Sequence, residues 1–275
     1  MKYTIQSSKY VLKNFFYVFP FAIVPALFMS LSTDEVALNY VLERFFDGNL
    51  RAWTFKTLFS SISVLNFASW KAIAAGGVGI LALVLGCALM MAMLEKHMRI
   101  GKRTFNGVFS KLNDNLISTC GYAILLLAIY ELWALITAAL LFFVSRLTTV
   151  VMAYALSVIV FLGMHLVLLY LIGIFYLWLP CMQITGFKAG EALYYSNQLS
   201  APVKWKILLG QLLVMLVAEL SICICAWYAV NFLWFTLLTT ALYALMIMIF
   251  CVRMQIAYFD LDNIDRADLI GYYRR

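Results

Sequence analysis

The sequence predicts an all-α fold: a polytopic membrane helix bundle of six transmembrane helices, with amphipathic interfacial helices and both termini in the cytoplasm. Three observations carry this. Of 275 residues, 65% are hydrophobic and only 12% charged, with a mean hydropathy of +0.94, about half the charge of an average soluble domain. Long apolar runs exceed the roughly 18 residues that separate a spanning helix from a core helix, and the alternation of a membrane barrel is not visible. With six spans, 15 of the 20 Lys and Arg fall in segments on one side and 5 on the other, and the positive-inside rule puts the richer side, with both termini, in the cytoplasm.

Residues 1–255 therefore read as a single transmembrane domain and 256–275 as a cytoplasmic tail. Lys2, Lys9 and Lys13 precede the first apolar run, as in a signal peptide, but Pro20 and Pro25 interrupt the run and no small-x-small cleavage site follows. A retained first span over residues 15–31, kinked by its prolines, is the expectation. Residues 33–70 are too polar to span and too patterned to be slack. Thr33 or Asp34 is placed to cap a helix whose Leu38, Val41, Leu42, Phe45 and Phe46 recur at helical spacing, and Gly48 to end it. Phe55, Leu58, Phe59, Ile62 and Leu65 form a second stripe. This extracytoplasmic pair is expected to lie on the membrane surface or to cap the bundle, as a cover or as a gate.

The second span, residues 72–94, carries Ala75, Gly79, Ala82 and Gly86 in a row of small residues. Such a row admits close approach of another helix, within the molecule or from a second copy. Residues 95–115, EKHMRIGKRTFNGVFSKLNDN, form the densest basic segment. Phe105, Val108, Phe109 and Leu112 there give the stripe of an interfacial helix, and Lys96, Arg99, Lys102, Arg103 and Lys111 offer contact to anionic lipid or to a partner, or simple positive-inside anchoring. Spans follow at 116–144 and 147–180, both long enough to tilt, with a break near Gly163 as the alternative for the second. The last two spans are 207–228 and 232–252, and Trp178 and Trp205 mark the inner boundary against Trp227 and Trp234 at the outer one. Residues 4–14, 104–114 and 191 onward echo one another as short amphipathic helices, each leading into a long span, which implies three such pairs.

Chemistry is sparse. Glu131 and Glu219 lie about 20 Å above the cytoplasmic starts of their spans, where a carboxyl group is costly unless paired or protonated. Arg146, His165, Gln211 and Asn231 are the candidate partners, and the pair reads either as a helix tie or as a proton or substrate pathway. A lone His in a span is more often an interhelical hydrogen-bonder than a metal ligand. The six cysteines sit in apolar runs as small hydrophobes, and Cys223 and Cys225 fall on different helix faces with no His close by in sequence. Asp260, Asp262 and Asp265 lack the Gly and Glu of a calcium loop. No phosphate-binding glycine loop, HExxH or serine-elbow motif is present, so no metal, cofactor or enzymatic chemistry is implied. The net charge of +7 is that of cytoplasmic loops, with no nucleic-acid partner indicated.

Residues 186–209, GFKAGEALYYSNQLSAPVKWKILL, place a short Ala- and Ser-containing helix ahead of a basic, aromatic approach to a span. In this the chain resembles bacterial six-span membrane proteins of unassigned function, similar to those near the membrane domain of glycerophosphodiester phosphodiesterases. The likeness covers the general layout of most of the chain, with no phosphodiesterase domain in these 275 residues. It implies a multi-pass protein of the cytoplasmic membrane with a transport-associated or membrane-organising role, and supplies no catalytic residues. The expected function is a non-enzymatic scaffold or accessory of a transport or envelope system, in contact with membrane lipids and with a second copy or a partner membrane protein. The alternatives are a small-molecule or proton-coupled transporter using Glu131 and Glu219, which needs a cavity at mid-membrane depth, and a lipid-handling module, which needs a lateral groove lined by the basic loop.

Overall fold

The computed structural model describes residues 2–67, 69–147, 149–228 and 231–269, with side chains for all of these except 108–115 and 147. Among the described residues the chain is helical, and six helical stretches are long and apolar enough to cross a membrane. The elements are α1 (Lys2–Lys13), α2 (Phe15–Ser32), α3 (Glu35–Phe46), α4 (Phe55–Ile62), α5 (Trp70–Ile100), α6 (Val108–Leu147), α7 (Val150–Ile174), α8 (Trp178–Thr185), α9 (Ala189–Ser200), α10 (Lys204–Tyr228) and α11 (Phe232–Leu261). The long helices α2, α5, α6, α7, α10 and α11 follow one another round a ring in chain order, and α11 closes it by packing on α2. Short connections make antiparallel neighbours of α5 and α6, of α6 and α7, and of α10 and α11, while the longer links from α2 to α5 and from α7 to α10 carry the helix pairs α3–α4 and α8–α9.

The α2–α5 contact depends on two residue types. Pro25 has no N–H to give to the Phe21 carbonyl one turn earlier, and Gly86 lies against that oxygen so closely that a Cβ would collide with it. At Gly79 a Cβ would come within 3.3 Å of the Met29 nitrogen. The row of small residues is thus a seam within the molecule. Gly79 and Gly86 are buried in it, whereas Ala75 and Ala82 are half-buried beside it, and Ala72 and Gly76 complete the buried row.

The two ends of the ring differ. At the end carrying α1, Met90, Met91, Met93, Leu94 and Met98 of α5 are 0–1% exposed and pack with α11 and with Tyr176, Leu177 and Leu179 into a solid core. Around it, α1 is held to α11 by Lys2 and by the Tyr3 hydroxyl, both donating to Asp260, at 2.9 and 2.8 Å. Burial and that carboxylate hold the Tyr3 phenol above its ordinary range. The opposite end is covered by α3 and α4. Asp34 caps α3 by accepting from the Ala37 N–H at 3.0 Å, and Gly48 turns the chain in the left-handed region at φ 77°. Leu38 packs against Ala226 and Phe235, while Leu50, Trp53 and Leu58 pack against Ala138, Leu141 and Ala153. The pair therefore caps the bundle, its two ends resting on opposite sides of the ring.

Several expected boundaries move. The second span continues to Ile100, so Glu95, Lys96, His97 and Arg99 belong to its last turns, and only residues 101–107 remain as the connection. The 104–114 segment is no separate interfacial helix over its length: from Val108 it is the start of the 40-residue α6, about 60 Å long and twice the hydrocarbon thickness. The side chains of Val108, Phe109, Lys111 and Leu112 lie outside the described residues. The leading helix survives in two of the three echoed segments, as α1 before α2 and α9 before α10. The 147–180 stretch is broken, at 175–177 between α7 and α8, and Gly163 lies within an unbroken α7. Residues 256–259, expected in a solvated tail, are 0% exposed inside α11, because the terminal core needs them. Leu65 falls beyond the end of α4.

Candidate functional site

Between the solid end and the cap the ring encloses a cavity of about 700 Å³, within the range of sites that take drug-sized ligands. Its wall is overwhelmingly apolar, drawn from every span and from both capping helices, with Leu38 and Leu58 above and Leu179 and Met254 below. Such space inside a bundle represents forgone van der Waals contact, the main force between helices in lipid. The few polar groups on the wall are therefore informative.

Glu219 is one of them. Its carboxyl oxygens lie 2.8 and 3.0 Å from Nε2 of His165, whose ring is 0% exposed. The other ring nitrogen, Nδ1, is 2.8 Å from the Phe161 carbonyl oxygen. A carbonyl only accepts, so Nδ1 carries the hydrogen. A proton must then also lie between Nε2 and Glu219, borne by either partner, since two lone pairs would otherwise face each other. In both forms the pair is electrically neutral as a unit. Trp133 stacks edge-on against the imidazole with ring centres 4.9 Å apart and donates from its indole nitrogen to the Met164 carbonyl at 2.7 Å, fixing the ring that holds His165.

Glu131 is placed differently. It accepts from Ser63 Oγ at 2.7 Å, the Val64 N–H at 2.9 Å and the Leu65 N–H at 3.1 Å, and the adjacent Tyr130 hydroxyl donates to the Ile62 carbonyl at 3.0 Å. These bonds satisfy the backbone just after α4, where the helix leaves N–H and C=O groups unpaired. Glu131 is thus a fastener of the cap, and it is not brought together with Glu219. Arg146, a candidate partner for either carboxylate, instead donates to the Trp53 carbonyl at 3.4 Å and lies over the Phe142 ring. Asn231 caps α11 by accepting from the Trp234 N–H at 3.0 Å.

Gln211 is on the cavity wall, but its partner is Arg253, which donates to its Oε1 at 2.6 Å. Sequence reasoning missed Arg253 by counting it with the basic tail. The signal was present, since apolar residues flank it on both sides in IFCVRMQIAYF.

The basic residues of 95–115 do not converge on one site. Arg99 pairs with Glu95 at 3.0 Å, Lys96 donates to the Asn106 carbonyl, and Arg103 reaches the Lys13 carbonyl at 3.4 Å. Lys102 is an exposed residue of the same connection, and the side chain of Lys111 is outside the described residues. Lys96, Arg99, Lys102 and Arg103 do not line the cavity. Among the described residues no group of three or more His, Cys, Asp or Glu is arranged to hold a metal ion. The chain matches no family model, no curated protein and no solved structure.

Proposed function

We propose that this protein is a non-enzymatic membrane module that holds an apolar or amphipathic molecule of the lipid class inside its helix ring. The observation that carries the reading is the cavity of about 700 Å³ with an apolar wall. A purely structural scaffold has no use for such a void, which lowers packing energy without return. A transporter of small polar solutes or ions would need convergent polar groups, whereas Glu219 is already neutralised by His165 and Glu131 is occupied by the cap. Val158 and Leu162 belong to the exposed face of α7 and also line the cavity. A path from the lipid beside α7 is the natural route in.

Filling the cavity tests this. Ala123 of α6 lines it, and Ala123→Phe is expected to remove lipid that copurifies with the wild-type protein, read by native mass spectrometry in mild detergent, while the thermal midpoint stays within a few degrees. A wild-type protein that retains no lipid under conditions that preserve the fold, or a variant that retains it undiminished, would overturn the reading.

A further inference from the structure

Arg253 is a deeply buried charge with no counter-charge beside it among the described residues. It is 1% exposed and lies on α11 between Cys251 and Met254, which both line the cavity. One terminal nitrogen donates to Gln211 Oε1 at 2.6 Å and the other to the Ile207 carbonyl at 2.5 Å. Gly210 makes this approach feasible, since a Cβ there would stand 2.8 Å from the guanidinium. The Arg253 Nε has no acceptor, and the hydroxyl of Tyr176, whose ring centre lies 5.8 Å from the guanidinium carbon, has no partner either. Among the described residues no carboxylate forms an ion pair with it.

A guanidinium stays protonated in proteins, and a buried charge without a counter-charge is expensive to keep in a membrane. Neither carboxylate of the spans supplies the counter-charge, because Glu131 faces the cap and Glu219 is neutral with His165. Gln211 shows where the positive potential is delivered. Its carbonyl oxygen is taken by Arg253, so its amide hydrogens are directed away from the guanidinium, and its side chain is part of the cavity wall. A donor polarised by a fixed positive charge, at the solid end of an otherwise apolar chamber, is suited to one kind of occupant.

We infer that the cavity takes a single-chain amphiphile with an anionic headgroup, a carboxylate or a phosphate monoester, seated against the Gln211 amide. Its chain runs towards the cap and its charge offsets Arg253. This rests on the lipid-class reading of the cavity and adds the sign and position of the headgroup. Arg253 acts through Gln211 as a positioning residue.

The test compares dodecanoate, dodecanol and dodecylamine, each brominated on the chain, as quenchers of Trp133, which lines the cavity. The quenching is assigned by its loss in Trp133→Phe. Dodecanoate is expected to bind at least about tenfold more tightly than the alcohol, the difference made by one charge-assisted hydrogen bond, and the amine most weakly. Arg253→Gln and Gln211→Leu should each erase that gap and leave the affinity for the alcohol in place. Should Arg253→Gln fail to fold, Gln211→Leu at its half-buried position decides alone. Equal affinity of the wild type for acid and alcohol, or a gap that persists in Gln211→Leu, overturns the headgroup assignment only. Absence of quenching by all three overturns it together with the cavity reading.

Discussion

Glu131 and Glu219 look alike in the sequence, each a lone carboxyl in an apolar run, and the fold gives them opposite tasks. Glu131 satisfies two backbone N–H groups and a serine hydroxyl of the cap. Glu131→Leu leaves the Val64 N–H without an acceptor, whereas the Leu65 N–H keeps Ser63 Oγ and the Ser63 hydroxyl keeps the Leu65 carbonyl; it is expected to cost about 1–3 kcal/mol, with faster hydrogen exchange at Val64 as the direct readout. Glu219→Gln should be nearly neutral in stability, because an amide N–H replaces the shared proton towards His165. Glu219→Ala, which strands Nε2, should not be neutral, and thermal unfolding of the two variants separates these outcomes. That both carboxyls need partners was legible from their place in apolar runs. Which partner each finds was not, because the cap that claims Glu131 is almost 70 residues away and His165 is 54 residues from Glu219. Arg253 was hidden for a related reason, as a positive charge near the end of the last apolar run reads as anchoring until the helix is seen to continue past it.

At the scale of elements, apolar runs located the spans and misjudged where the helices end. Hydropathy falls where a helix leaves the hydrocarbon, whereas the helix itself stops at a cap. α5 runs on through Glu95 and His97 until Gly101 takes the left-handed conformation at φ 75°. α11 likewise continues beyond Val252 to Leu261, its extra turns buried by α1 and α5. The capping helices were better marked, since Asp34 and Gly48 are local signals that need no tertiary partner. The small-residue row predicted a close contact but not its partner, which is set by the carbonyl that Pro25 leaves without a helical donor. Gly86→Ala is expected to destabilise the protein by about 1–3 kcal/mol through overpacking against α2. Gly77→Ala, where a Cβ meets nothing within 4 Å, should be neutral or stabilising by up to about 1 kcal/mol from helix propensity. Equal effects in detergent unfolding would show that the contact is not the one described.

For the molecule as a whole, the even number of spans puts α1 and the end of α11 together, and the basic excess argues that this end faces the cytoplasm. A green fluorescent protein fused after residue 275 is expected to fluoresce, and alkaline phosphatase inserted at Gly48 in the cap is expected to be active. The reverse pattern would invert the proposed orientation and with it the side on which the solid core lies.

The ring order has a consequence for how the protein is made. Because α2 is the first of the six spans and α11 the last, and because they are neighbours, the wall stays open along one seam while the other spans are inserted. The wall of the chamber is incomplete until α11 arrives, and until then its apolar lining lies open to the lipid along the α2–α11 seam. An amphiphile present in the bilayer during synthesis would therefore meet an open trough, and arrival of α11, bringing Arg253 to Gln211, would be the event that completes the proposed headgroup seat and leaves the face beside α7 as the remaining way in.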